Sequence, residues 1–548
     1  MGRRLSLLFA LCLVAATGCR SPQPPAPAAP DVPSPAPAAA TAAPASGATA
    51  WWNDTVFYEI FVRSFADSTT GPLANDGIGD FAGLVEKLDY LNDGDPATTR
   101  DLGITGIWLM PINPSPSYHG YDVTDYYGIH PEYGTRADFE RFLAECHRRG
   151  VRVIVDLVLN HSSSRHPWFA KALAGDPGYR DRYIFVDDAN AVPDVRGPWG
   201  QQVWQEAHGQ HYYGIFWSGM PDLNYRNPAV TDEAYRIAEY WLRDLRVDGF
   251  RLDAIRHLIE DGDVMNDTPA TLEWLRGFRA HVKQVQPDAM MVGEVWTTTE
   301  IVRDYIDGGS LDLAFEFDVA KAILQAIKSG RRDELAYALD NAWSAYPGQR
   351  FATFVTNHDQ DRIASELGED PARLKLAASL LLAAPGVPFL YYGEEIGQVG
   401  RKPDEMIRNP MPWTAGTNGG FTRAARPWEP LQGGHERRNV AAQADDPASV
   451  LTHYRQWIHL RHREPALRRG TFELVDLGRD DAIAWQRRAD GRTLTFIANL
   501  SREPIAGLAL PATVHGSVAV DRLSGEAVAA RTPFTLAPYG TRLFASAR

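Results

Sequence analysis

Eight apolar runs recur along this chain at intervals that point to one architecture. They span residues 56–62, 103–111, 151–159, 247–253, 289–296, 311–318, 351–359 and 386–395. Each is continuously apolar, as expected of strands covered on both faces. Amphipathic helical patterns separate them, for instance at 137–150 and 234–246. Alternation of strand and helix predicts a parallel sheet. Eight repeats predict its closure into an α/β fold of the (β/α)8, or TIM-barrel, type.

One β/α unit of such a barrel takes about 30 to 40 residues. Asp253, Glu294 and Asp359 stand at the ends of three runs, 41 and then 65 positions apart, which reads as one unit and then two. His161 and Asp253 lie 92 positions apart, so an excursion of roughly 50 to 60 residues follows the third strand. The excursion is rich in aromatic side chains, among them Trp168, Trp199, Trp204, Tyr213, Phe216 and Trp217. Flat apolar faces with polar edges suit stacking against a sugar ring. The same rings also suit the core of a small subdomain.

At 548 residues the chain exceeds one ordinary core. We divide it into a signal over 1–19, a linker over 20–50, a barrel over 51–160 and 223–465, an inserted domain over 161–222, and a C-terminal antiparallel β-sandwich over 466–548. The start resembles a bacterial lipoprotein signal: Arg3 and Arg4, an apolar run from Leu7, then Ala16-Thr17-Gly18-Cys19. On that reading Cys19 is lipidated and the protein is exported and anchored to a membrane, facing the periplasm or the cell surface. Cleavage nearby and secretion is the alternative. The Pro/Ala-rich stretch after Cys19 lacks the pattern of a packed core and reads as a tether. Cys146 is then the one thiol of the folded part, in a helical pattern. A net charge of −14 argues against nucleic acid, whose phosphates require clustered Lys and Arg.

Cleavage of a glycosidic bond with retention needs a carboxylate nucleophile and a second carboxyl about 5 Å away that donates and then accepts a proton. Asp253 and Glu294, ending adjacent strands, meet that pattern. Arg251, two positions before Asp253, lies on the same side of its strand and would hold the carboxylate ionised. Singly, each of these acids is what a helix cap looks like. As a set, DLVLNH (156–161), MPDLN (220–224), GFRLDAIRH (249–257), GEVW (293–296) and FVTNHDQ (354–360) resemble the motifs of the α-amylase family of glycoside hydrolases, family 13.

The resemblance runs from about residue 51 to the C-terminus. It implies Asp253 as nucleophile, Glu294 as general acid/base and Asp359 as the clamp on sugar hydroxyls, with His161, His358 and Tyr121 contacting the sugar at the cleavage point. Arg256 and His257 resemble a Lys-His pair by which α-amylases hold sugars beyond that point. Asp122 and Arg408 resemble a pair that grips the terminal glucose in exo-acting glucosidases. MPDLN resembles the segment of neopullulanases, cyclomaltodextrinases and an intermediate group of α-amylases. These signals favour an α-amylase of that group acting on internal α-1,4 bonds of starch and maltodextrins, with no organic cofactor and a monomeric state. An α-glucosidase or cyclomaltodextrinase is the alternative, and a non-catalytic glycan-binding lipoprotein a third reading. The family often binds calcium, and Asn160 with the carbonyl of His257 matches two of the usual ligands. A second family loop, D-x-N-x-D-G-x-G-D, is degraded here to residues 72–80 with Asp76 and Asp80 alone, too few for a cation wanting six to eight oxygens.

Overall fold

In the computed structural model, residues 50–188, 192–510, 518–529 and 532–546 are described. Cys19 and nearly all of the expected signal and linker lie outside them. The barrel strands are β1 (Phe57–Ile60), β2 (Gly106–Leu109) and β3 (Arg152–Val158). An inserted three-stranded sheet follows, made of β4 (Phe185–Val186), β5 (Trp204–Ala207) and β6 (Gln210–Tyr213). The barrel resumes with β7 (Gly249–Asp253), β8 (Met290–Gly293), β9 (Leu313–Phe315), β10 (Phe351–Thr353) and β11 (Val387–Tyr391). It closes in the order β1-β11-β10-β9-β8-β7-β3-β2, with all neighbours parallel.

The strands are shorter than the apolar runs that mark them. The run 351–359 forms a strand only over Phe351–Thr353. The remainder, with Asn357, His358 and Asp359, is the loop at the strand's C-terminal end, where such barrels carry their chemistry. The helices around the barrel are stopped and started by local signals. Thr135 and Asp138 form a reciprocal capping box on helix Arg136–Arg148, and Pro228, Pro269 and Pro371 each begin a helix. Cys146 lies on the buried stripe of the first of these.

The inserted segment leaves and rejoins the barrel through an isolated antiparallel bridge between His161 and Asp222. Its aromatic residues divide between packing and exposure. Tyr212 and Tyr213 are buried, and Trp168 stacks on Tyr126 at 5.7 Å between ring centroids. Trp199 and Trp217 stay 63% and 50% exposed, facing the mouth of the barrel cleft described below.

After helix Pro465–Arg469 the chain forms a six-stranded antiparallel sheet beginning with β12 (Thr471–Val475), β13 (Ala482–Ala489) and β14 (Arg492–Asn499). A separate two-stranded sheet lies beside it. Asp490 and Gly491 turn β13 into β14 with positive φ at both positions, as a two-residue hairpin of the Asp-Gly kind requires. Among the described residues no helix is long and apolar enough to cross a membrane.

Candidate active site

The pairing register brings the charged groups together. Asp156 of β3 lies beside Arg251 of β7, and Val158 beside Asp253, so the side chains of Asp156 and Arg251 meet inside the barrel. The Arg251 guanidinium is 1% exposed and binds three carboxylates. Its Nη1 donates to Asp156 at 2.9 Å and to Asp253 Oδ1 at 2.6 Å, and its Nη2 donates to Glu294 Oε2 at 2.6 Å. Asp253 and Glu294 are thus held on the two adjacent terminal nitrogens of one planar guanidinium, which keeps both carboxyls in one site. Glu294 also accepts from the N–H of Ala254, a residue held at φ 48° immediately after Asp253. Burial pushes the Glu294 carboxyl up, and the negative charges of Asp253 and Asp359 add to it against the pull of Arg251. A carboxyl raised in this way is suited to donating a proton.

On the far side of the cleft His358 receives two hydrogen bonds' worth of order. Its Nδ1 faces Glu59 Oε1 at 2.5 Å, and its Nε2 faces the Tyr121 hydroxyl at 2.7 Å. Tyr121 stacks on the His358 ring at 5.6 Å and 15°. Asp359 is bonded by Arg408 Nη2 at 2.7 Å and lies 3.2 Å from His358 Nε2. Burial works to raise Asp359, but the positive His358 and Arg408 outweigh it and hold the carboxyl down at about 2. A depressed native value means that Asp359 contributes stability that is complete above its unfolded value near 3.9 and is lost as the pH falls toward about 2. The stability difference between the wild type and Asp359→Asn, measured by urea denaturation, is therefore expected to be constant at neutral pH and to shrink below about pH 4. A difference independent of pH down to 3 would contradict the assignment of that charge.

Asp253, Glu294, Asp359, Tyr121, His161 and Arg408 line one cleft of about 530 Å3 at the C-terminal end of the barrel strands. Arg256 and His257 line it too, but both are already engaged. Arg256 grips Asp267 through Nε at 2.9 Å and through Nη2, and donates from Nη1 to the Trp296 carbonyl at 2.6 Å. It therefore braces the loop that carries Trp296 more than it offers itself to a sugar. His257 uses Nδ1 on the Met265 carbonyl at 3.0 Å, which leaves Nε2 as the nitrogen for a ligand. His161 is buried and kept neutral by burial, with Nε2 on the Tyr121 carbonyl at 3.2 Å.

Asp122 and Arg408, expected together to grip a terminal sugar, each have other protein partners. Asp122 is buried and accepts from Ser115 at 2.6 Å and from Ser117. Arg408 instead takes Asp359 and Asp404 and lies over the Tyr118 ring. Two residues that the sequence analysis left out emerge as part of the site: Asp156, which anchors Arg251, and Glu59, which anchors His358. Each is a lone acid within an otherwise apolar strand, the signal by which it is recognisable.

Three buried oxygens lie where the inserted segment meets the barrel, the region in which the expected ligand Asn160 stands. Asn160 Oδ1, Asp222 Oδ2 and the Tyr213 hydroxyl are buried without a hydrogen-bond partner. Burial, with the nearby charge of Glu260, pushes the Asp222 carboxyl far up, a situation that a cation relieves. No three His, Cys, Asp or Glu cluster as metal ligands among the described residues, so beside the Asp222 carboxylate such an ion would depend on amide, hydroxyl and carbonyl oxygens. In the loop 72–80 the two acids have local roles. Asp80 caps helix Phe81–Glu86 and accepts from Ser68, and Asp76 Oδ1 accepts from the N–H of Ile78.

Comparison with known proteins places this geometry. The family profile described as "Alpha amylase, catalytic domain" matches residues 59–470. Alpha-amylase 3 of Dictyoglomus thermophilum is 37% identical over 460 residues, covering 82% of this chain and 86% of its own. The trehalose synthase of Pimelobacter sp. is 33% identical over 519 residues, covering 83% and 88%. Among solved structures, the α-amylase from H. orenii is 39% identical, covers 90% of this chain and 99% of its own, and superposes with a TM-score of 0.78.

Proposed function

Because the chain belongs to the α-amylase family of glycoside hydrolases, family 13, we propose that it hydrolyses internal α-1,4-glucosidic bonds of starch and maltooligosaccharides with retention. The observation that carries the chemistry is the sharing of Arg251 by Asp253 and Glu294. In the first half-reaction Glu294 gives its proton to the glycosidic oxygen while Asp253 attacks the anomeric carbon, and the leaving chain departs with a free hydroxyl. In the second, Glu294 takes a proton from water, whose oxygen displaces Asp253 and returns it as a carboxylate. Asp359, ionised and fixed by Arg408, would hold the sugar hydroxyls as the ring flattens.

Action within the chain is supported by the open, aromatic side of the cleft. Trp199, Trp217 and Trp296, 63%, 50% and 46% exposed, offer faces to sugar units beyond the cleaved bond. Trp296 is kept in place by stacking on Phe317 at 4.7 Å. A second reading, exo action by an α-glucosidase or transfer as in a trehalose synthase, draws on the Asp404–Arg408 pair, which crowds the opposite end. Chromatography of early products decides between them. Starch and maltoheptaose are expected to give mixed maltooligosaccharides from the first minutes, whereas release of glucose alone would overturn endo action.

Calcium at Asn160, Asp222 and the His257 carbonyl is part of the proposal; bound there it would tie the inserted segment to the strand end that carries Asp253. Membrane attachment through Cys19 is also proposed. Cys19→Ser is expected to move the enzyme from the membrane fraction to the soluble fraction with unchanged specific activity, and a variant that still sediments with membranes would contradict the lipid anchor.

A further inference from the structure

Tyr539 occupies a backbone conformation that its side chain disfavours. Its φ is +54°, in the left-handed region that bulky residues rarely adopt. The turn around it is over-determined: Tyr539 N–H donates to Ser501 O at 3.1 Å, Gly540 N–H to Ala537 O at 2.9 Å, and Asn499 N–H to Gly540 O at 2.9 Å. The ring is fixed as well. Arg373 donates from Nε to the Tyr539 hydroxyl at 3.1 Å, with its guanidinium 5.3 Å from the ring centroid. A strained turn that presents an immobilised aromatic ring is what a stacking platform needs, because little entropy is left to lose on binding.

The ring borders a groove of about 450 Å3 between the C-terminal sheet and the barrel helices Pro371–Ala383 and Val450–Arg463, remote in sequence from the catalytic strands. Its polar groups balance in charge. Arg542 is held by Asp521 at 2.9 Å and Glu526 at 2.6 Å on one wall, and Lys375 stands on the other. His453 is neutral at physiological pH, burial and the Lys375 charge holding it at about 4, and its Nε2 lies 2.8 Å from Ser379 Oγ, to which Thr541 also donates. An aromatic face ringed by carboxylate, guanidinium and hydroxyl groups of near-zero net charge fits an uncharged polyol and not an anion.

We propose that this groove is a second binding site for α-glucan chains, separate from the catalytic cleft, with a sugar face stacked on Tyr539 and its hydroxyls bonded to Glu526, Arg542 and Thr541. The choice of an α-glucan as occupant rests on the function proposed above. A site of this kind would hold a polymeric substrate against the enzyme between cleavage events.

The test uses the full chain carrying Glu294→Gln, so that bound glucan is not consumed, and measures adsorption to insoluble starch and binding of maltoheptaose by calorimetry. Tyr539→Ala is expected to reduce adsorption at least about fivefold and to lower the maltoheptaose stoichiometry from two toward one, while Tyr539→Phe keeps both. Should Tyr539→Ala fold poorly, Ala372→Arg fills the groove from an exposed helix position and is expected to give the same loss. Unchanged adsorption in both variants, or a stoichiometry of one in the parent, overturns the second site. Absence of starch hydrolysis by the chain with Glu294 intact overturns the functional reading itself, and so the two failures are told apart.

Discussion

Asp253→Asn and Glu294→Gln are each expected to lower kcat on maltooligosaccharides by about a thousandfold or more, with far-ultraviolet circular dichroism and the unfolding midpoint little changed. The first variant removes the group that forms the covalent bond, and the second removes the group that moves the proton. Neither changes side-chain volume appreciably, and in both the amide can still accept from Arg251. A thousandfold loss corresponds to about 4 kcal/mol of transition-state stabilisation, within reach of a single lost nucleophile or acid. Either variant retaining more than about a hundredth of the normal kcat would show that the residue is not reacting. An aryl glycoside with a good leaving group separates the roles: it should partly spare Glu294→Gln in the first step, since less protonation is needed, and should not spare Asp253→Asn.

Arg251→Met is expected to destabilise the fold by about 3–5 kcal/mol and to abolish activity, the second large effect. The guanidinium is the shared cation of Asp156, Asp253 and Glu294, all within hydrogen-bond reach and itself 1% exposed. Removing one partner of a buried charge group leaves the others uncompensated, and that is where the cost arises. Burial already raises Asp156 to about 7 with Arg251 present, so without it protonation of the acid would be the main escape. Arg251→Lys keeps a charge but presents a point donor in place of a fork, so it should fold while losing most of kcat. Urea denaturation checks the first variant; a change below about 1 kcal/mol, the scale of an ordinary substitution, would contradict the role assigned to Arg251.

Much of this was legible in the chain. Strand ends and their spacing located Asp253, Glu294 and Asp359, because barrel periodicity fixes where loops begin. The eight runs located the strands, though not their ends: in 351–359 the apolar residues Phe354 and Val355 continue past β10 as buried loop. What pairing across strands decides was not legible. Asp156 meets Arg251 only through the register of β3 with β7, and Glu59 meets His358 across 299 positions of sequence. Partners across loops were not legible either. Arg256 lines the cleft as its motif implies, but its guanidinium is also bound by Asp267, on a turn eleven residues later. Asp122 is held by the Ser115 and Ser117 hydroxyls, a contact that the motif does not announce. In the inserted segment composition could not say which rings pack and which face solvent. That division follows from the sheet, which buries Tyr212 and Tyr213 and leaves Trp199 and Trp217 outside it.

A covalent intermediate on Asp253 forms by attack on one face of the sugar and is resolved by water on the other, the face the leaving chain vacated, and the anomeric configuration of the first product reports it directly. Proton NMR during the first minutes of maltoheptaose hydrolysis is expected to show the α-anomer of the new reducing end rising ahead of the β-anomer, which should appear only as mutarotation proceeds. Initial release of the β-anomer would contradict Asp253 as the attacking group and Glu294 as its acid/base partner, and with them the double displacement proposed for this chain.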